Sequence, residues 1–262
     1  MTVHSYLICA SPRSGSTLLA TTLANTGLAG NPEEVFRPGI REEALDRQKV
    51  GATSDADFIP SLITATMTTN GVFGTKVHGY QTWLLLRRIQ AALQEGARTS
   101  SLHNAVERLF PGLRYIWITR NDAVRQAVSY YRALMSDTWH VLREAPPAGE
   151  PSPNIVFDPV AIGTCHAFVE ANDLFWREYF ATHNITPLRV TYEELVCRFD
   201  ETMQKVCSHI GLPQDATIPP PATEKLAGVQ STEWVERYKA LSAHTSYLPF
   251  APNEHIKRWA PF

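Results

Sequence analysis

This sequence predicts a three-layer α/β fold built on a central parallel sheet, with ligands collecting where the strands end. Three observations lead there. Short apolar runs of strand length alternate with stretches of helical periodicity along the chain. The first run, Tyr6-Leu7-Ile8-Cys9, empties into a compact loop, Ala10-Ser11-Pro12-Arg13-Ser14-Gly15-Ser16-Thr17, from which Leu18, Leu19 and Ala20 continue as a helix. The 262 residues have ordinary globular composition and no internal repeat, so one domain over 1–262 accommodates them.

The elements follow in order from the same signals. A helix over 16–26 ends at Thr26-Gly27, with the glycine as its C-terminal cap. Leu28 to Pro38 is marked by Gly and Pro, and Arg41, Glu42, Glu43, Asp46 and Arg47 then form the solvated face of a helix. Asp55 to Thr69 is amphipathic through Phe58, Leu62, Ile63 and Met67, with Pro60 near its start. Val72 to His78 is the second strand. Leu84, Leu85, Ile89 and Leu93 give a helix over 81–94, and Leu102 to Phe110 a shorter one. Arg114 to Thr119 is the third strand and ends at Arg120; a helix from Asp122 to Met135 follows, capped by Asn121 or Asp122. Pro146, Pro147, Gly149, Pro151 and Pro153 interrupt regular structure, so a substrate loop or lid is expected around 143–157. Asp158 to His183 is one long helix, or a helix broken at Gly163. Leu188 to Tyr192 is the fourth strand, Phe199 to Ile210 a helix ended by Gly211, and Thr232 to Leu241 a last helix beyond Pro219-Pro220-Pro221.

Charge and composition narrow the function. A formal net charge of −2 argues against a nucleic-acid binder with a broad basic surface. Any anion site must be assembled from a few residues. Cys9, Cys165, Cys197 and Cys207 show no C-x-x-C pairing and no nearby His at zinc spacing, so neither a metal site nor a disulfide framework is expected. No basic n-region precedes an apolar run at the N-terminus, and no run of about 18 apolar residues occurs. A cytoplasmic protein without a membrane span is the expectation.

The first loop has the chemistry of an anion cradle. Its N–H groups and the positive end of the following helix converge on one point, and Arg13, Ser14, Ser16 and Thr17 add donors around Gly15. Against the nucleotide-binding pattern G-x-x-x-x-G-K-[ST], Ala10 replaces the first glycine and Ser16 stands where the lysine belongs. A nucleoside-triphosphate hydrolase needs that lysine on the β- and γ-phosphates, usually with Mg²⁺. Here the fixed cation has moved to Arg13.

The run Pro12-Arg13-Ser14-Gly15-Ser16-Thr17 resembles the 5′-phosphosulfate loop of sulfotransferases that use 3′-phosphoadenosine 5′-phosphosulfate (PAPS). More narrowly, Ser11 to Phe36, including Gly30-Asn31-Pro32-Glu33-Glu34-Val35-Phe36, resembles the bacterial trehalose 2-sulfotransferase (Stf0-type) family. That resemblance implies a P-loop-like sulfotransferase fold and transfer of a sulfuryl group from PAPS to a hydroxyl of a carbohydrate, glycolipid or small metabolite, with 3′-phosphoadenosine 5′-phosphate (PAP) as product. It implies no metal, and a homodimer. Arg120 with Ser129 is similar to the clamp that such enzymes place on the 3′-phosphate. Tyr192-Glu193-Glu194-Leu195 is similar to a segment near the nucleotide, and Lys225 with Ser231 to Tyr238 to the family's C-terminal pattern, which makes Lys225 a candidate phosphate contact.

The acceptor hydroxyl needs a proton acceptor, and two are on offer. Glu34 matches the acidic residue assigned as base in the trehalose 2-sulfotransferases, with Glu33 as an adjacent decoy. His78 belongs to Lys76-Val77-His78, which resembles the K-x-H of cytosolic sulfotransferases, where the histidine is the base and the lysine approaches the sulfuryl group. Lys76 and His78, two apart on a strand, share a face. An unperturbed pKa near 6.5 favours His78; the family resemblance favours Glu34. Two other classes stay open: a P-loop-like nucleotide kinase or hydrolase, which would turn over ATP with Mg²⁺, and a nucleotide-binding module without chemistry.

Overall fold

β1 (His4–Ala10), β2 (Val72–His78), β3 (Arg114–Thr119) and β4 (Leu188–Thr191) pair in parallel in the order β2-β1-β3-β4. The computed structural model describes residues 4–94, 101–139, 155–221 and 229–244. Alternation of side chains across the pleat sorts β1 onto two faces. Leu7 and Cys9 pack with Phe73, Val77 and Tyr115 on one side, while Tyr6, Ile8 and Ala10 pack with Val72, Ile116, Ile118 and Val190 on the other. Both faces are apolar because both are covered, as a purely parallel sheet requires.

Five helices close the first face: α2 (Ile40–Val50), α3 (Asp55–Thr66), α4 (Thr82–Ala92), α5 (Leu102–Leu109) and α7 (Pro159–Thr182), which contributes Trp176, Tyr179 and Phe180. α1 (Ser16–Asn25), α8 (Tyr192–Cys197) and α9 (Phe199–Ile210) close the second. The expected three layers result. A third apolar cluster joins α6 (Ala123–Ser136), α7 and α10 (Val229–His244) through Tyr131, Cys165 and Trp234. Among the described residues no helix is long and apolar enough to cross a membrane.

Helix boundaries follow capping chemistry, and it decides the differences from expectation. α7 runs unbroken through Gly163; Asp158 caps it by accepting from the amides of Val160 and Ala161, with Pro159 in first position. Asp122, not Asn121, caps α6, accepting from Arg125 N at 2.8 Å. Tyr192 does not end the fourth strand: Thr191 and Glu194 form a reciprocal capping box, so Tyr192 opens α8. The charged face of α2 is not wholly solvated either. Asp46 is fully buried, its carboxylate taken by the Arg37 side chain and by Arg37 N at 3.1 Å. Most of the expected lid at 143–157, its Pro-rich part included, and Lys225 lie outside the described residues.

The register brings the strand ends level. Ala10 lies beside His78 on one side and Ile118 on the other, and Thr119 lies beside Thr191. One glycine permits that packing: Gly74 faces Tyr6 across the β1–β2 ladder, and a Cβ at 74 would stand 2.2 Å from Tyr6 Cζ. The Tyr6 ring is held there by its hydroxyl, which donates to the Ala29 carbonyl at 2.8 Å. Gly74→Ala is expected to lower folding stability by about 1–3 kcal/mol through overpacking, measured by urea denaturation; an unchanged midpoint would show that the ring moves freely.

Candidate active site

The loop after β1 is shaped by two left-handed residues, Arg13 (φ 64°) and Gly15 (φ 93°). At Arg13 this conformation is unusual for a non-glycine residue and is held by surrounding contacts. Gly15 also has no room for a side chain, since a Cβ there would meet Tyr192 Cδ2 at 2.7 Å. Gln126 of α6 pins the loop from behind, donating to Ser11 Oγ at 2.8 Å and to the Pro12 carbonyl at 2.7 Å. Ser16 opens α1, so the first amides of that helix have no intrahelical acceptor and point out of its N-terminus. Ser14 is fully buried and its Oγ has no partner among the described residues. The cradle offers donors that the protein itself leaves unused.

Beside it the structure brings together Arg13, Arg120, Ser129 and Tyr192. Arg13 Nε donates to Ser129 Oγ at 3.0 Å, and its Nη1 donates to the Trp139 carbonyl. Arg120 Nη1 donates to the Arg13 carbonyl at 3.3 Å, and its guanidinium lies over the Tyr192 ring at 4.6 Å. The contacts of both guanidiniums among the described residues are thus a hydroxyl, carbonyls and a ring, with no carboxylate. Burial and the charge of Arg120 lower the Arg13 pKa to about 10, and burial lowers that of Arg120. Glu193 and Asp122 offset Arg120 from beyond contact distance, but neither guanidinium touches a carboxylate among the described residues, so a bound anion would stabilise the pair.

The second half of the site hangs on the backbone of Glu33. Its carbonyl accepts from Lys76 N at 3.0 Å and from Thr75 Oγ1 at 2.9 Å, laying the 31–37 segment along β2. The Glu33 side chain turns outward to Lys49 at 2.6 Å. Glu34 turns inward. Its Oε2 meets Lys76 Nζ at 2.8 Å, and its Oε1 accepts from Gln81 Nε2 at 3.0 Å and stands 3.4 Å from His78 Nδ1. Lys76 and His78 do share a face of β2, and both address the same carboxylate. Lys76 Nζ also donates to Thr17 Oγ1 at 3.3 Å, which joins this cluster to the cradle. Behind it, buried Arg88 donates to the Val35 carbonyl at 2.7 Å and fixes the segment from the core side.

The electrostatics separate the two titratable groups. Burial alone would raise the Glu34 pKa, but His78, Lys76 and the hydrogen bonds from Lys76 and Gln81 outweigh it and hold the carboxyl well below the usual range. Burial lowers His78 from 6.5 to about 4, against the pull of Glu34 and with the repulsion of Lys76. At neutral pH the set is an ionised Glu34 and a neutral His78 with both ring nitrogens buried and without hydrogen-bond partners among the described residues. The Glu34 side chain keeps 25% of its surface exposed and His78 only 8%. A molecule entering the site therefore meets the carboxylate first.

Sequence reasoning missed Gln81, Gln126 and the Trp139 carbonyl. The two glutamines gave no sign of their site contacts, because Glu34 lies 47 residues from Gln81 and Ser11 115 residues from Gln126 in the chain. A row of aromatic rings was also not singled out. From His78 it passes to Tyr80 (5.9 Å between centroids), Phe168 (5.3 Å), Tyr130 (5.6 Å) and Trp139 (6.1 Å).

Known proteins resemble this chain along most of its length. The family model described as Stf0 sulphotransferase matches residues 5–241. The trehalose 2-sulfotransferase of Mycolicibacterium smegmatis is 32% identical over 90% of this chain and 94% of its own length, and that of Mycobacterium tuberculosis 31% identical over 91% and 95%. Among solved structures, the sulfotransferase domain of the Synechococcus PCC 7002 olefin synthase aligns with 97% of this chain and 91% of its own, at 14% identity and a TM-score of 0.43.

The depressed His78 pKa fixes the sign of an acid effect on stability. The unfolded chain takes up a proton at the ordinary 6.5 that the folded chain refuses until about 4, so this contribution is complete above 6.5 and is lost as the pH falls toward 4. Glu34 acts in the same direction below its ordinary 4.5. Thermal melts between pH 7 and 4 should therefore fall more steeply for the natural protein than for His78→Gln. Parallel curves would mean that His78 titrates normally in the fold.

Proposed function

Because the chain belongs to the Stf0 sulphotransferase family, we propose that it transfers a sulfuryl group from PAPS to a hydroxyl of a carbohydrate or related small metabolite and releases PAP. One observation carries most of the weight. A cradle with unused donors, two guanidiniums without a carboxylate and a carboxylate-histidine pair lie side by side at the strand ends, joined through Lys76.

The fit to the donor is tested by the groups left wanting. Arg120 and Ser129, with Arg13 between them, suit a phosphate on one side of the nucleotide. Ser14 Oγ, the hydroxyls of Ser16 and Thr17 and the first amides of α1 suit the phosphosulfate on the other. When bound, PAPS supplies the sulfuryl group and a phosphate leaving group. Lys76, bridging Thr17 and Glu34, holds positive charge beside the cradle, where a loose transition state puts its developing negative charge on the leaving phosphate oxygen.

Glu34, more exposed than His78, faces an incoming hydroxyl and accepts its proton; His78, neutral and 3.4 Å behind, offers a second basic site to the same proton. The low basicity of Glu34 is tolerable if the hydroxyl surrenders its proton late, after bonding to sulfur has begun. A sugar acceptor is supported by the relatives' names, and the partly exposed rings of Tyr80, Phe168 and Trp139 would offer its C–H face contact. The kinase or hydrolase alternative is disfavoured by Ser16 in the lysine position of the triphosphate loop.

Calorimetry without Mg²⁺ should show PAP binding that depends on the 3′-phosphate, weakened on the order of tenfold or more in Arg13→Ala and in Arg120→Ala. Preference for Mg-ATP, or unchanged binding in both variants, would sink the donor site. Glu34→Gln should lower turnover on the order of 10²- to 10⁴-fold with PAP binding retained, and His78→Gln by less. The reverse ranking would hand the base to His78.

A further inference from the structure

Gln81 is fully buried in the short 3-10 turn Gly79–Gln81 that follows β2, and its amide can be oriented in only one way. The His78 backbone N–H can only donate, so the Gln81 oxygen must face it, at 2.9 Å. The NH₂ group is then left to face Glu34 Oε1 at 3.0 Å and the Tyr80 hydroxyl at 3.2 Å. On the other oxygen of Glu34 sits Lys76, which is also a donor. The turn itself is anchored to α7, since Tyr80 N donates to Asn172 Oδ1 at 2.8 Å and a Cβ at Gly79 would stand 3.0 Å from the Asn172 carbonyl.

We propose that Gln81 is a positioning residue for Glu34. Resting on the sulfuryl-transfer role given above, it fixes the side-chain rotamer of that carboxylate and ensures that both its oxygens face donors, which keeps Glu34 ionised and aimed at the acceptor. A backbone bond reads the end of β2, and a side-chain bond passes that position on to the carboxylate. The charged and titratable groups around Glu34 are Lys76 and His78 on β2, Tyr80 on the turn, Arg37 on its own segment and Tyr130 on α6. Gln81, unlike these groups, is not titratable: its NH₂ cannot lose a proton in the working pH range.

Gln81→Glu separates this role from a merely structural one. The variant keeps an oxygen for the His78 N–H but replaces the donor facing Glu34 by a second carboxylate oxygen, and two carboxylates at that spacing cannot both ionise. The Glu34 carboxyl, followed by ¹³C NMR of labelled glutamate, should titrate at higher pH than in the natural protein. kcat should fall on the order of 10- to 100-fold at neutral pH, with PAP affinity within about threefold and the acid limb of the kcat profile moved upward. Gln81→Met is the second variant, in case the glutamate cannot be accommodated. It should raise the Glu34 midpoint as well, and its loss of kcat should vanish when combined with Glu34→Gln, because the two changes remove the same function. A Glu34 midpoint unmoved in both variants would overturn the proposal. The titration needs no turnover, so if the natural protein transfers no sulfuryl group, the functional assignment falls while the NMR result still decides whether Gln81 controls Glu34.

Discussion

Ala10 lies level with His78 on one side and with Ile118 on the other, and that alignment decides where the rest of the site goes. Because β1 is central and buried on both faces, its register cannot slip without turning Leu7 and Cys9 out of one apolar layer and Ile8 out of the other. The loop carrying Arg13, the turn carrying Gln81 and the junction carrying Arg120 therefore emerge side by side. Hydrophobic packing fixes the frame. Polar contacts then do the fine placement, and they are few: Gln126 on the first loop, the Glu33 backbone along β2, and Arg88 on the Val35 carbonyl.

The charges of this molecule fall into two kinds. Exposed pairs such as Lys205–Glu201 and Arg198–Glu194 sit on helix surfaces, where screening leaves each worth about 0–1 kcal/mol. The charges at the strand ends differ, because they are partly removed from water and, of Lys76, Arg13 and Arg120, only Lys76 touches a carboxylate among the described residues. Lys76 has Glu34; Arg13 is repelled by Arg120, which Glu193 and Asp122 offset only from a distance. Desolvating a charge costs several kcal/mol even after relaxation, so this arrangement makes physical sense as a site that a ligand completes.

The architecture was legible where local signals decide structure. The apolar runs over 6–9, 72–78 and 114–119 became strands, and the loop before Leu18 became the turn into α1. Two local errors had readable causes. Thr191-Tyr192-Glu193-Glu194 is itself a capping-box sequence, and it outweighed the strand-like character of Tyr192. Asp46, by contrast, looks like any surface carboxylate of a polar helix, and only the folding back of Arg37 explains its burial. Glu34, His78 and Lys76 were named as separate candidates, whereas their meeting at one carboxylate is a property of the tertiary structure. No periodicity encodes it, and the donor that completes it, Gln81, has no sequence signature at all.

The strand order has a consequence for synthesis. β1 is made before both strands that flank it: β2 begins at Val72 and β3 at Arg114, so one edge of β1 stays unpaired until the chain has passed Thr119. At ordinary translation rates that interval is on the order of 10 s, far longer than the collapse of a free chain. Through that interval the nascent protein carries an apolar strand with one open edge, the kind of segment that invites misassociation.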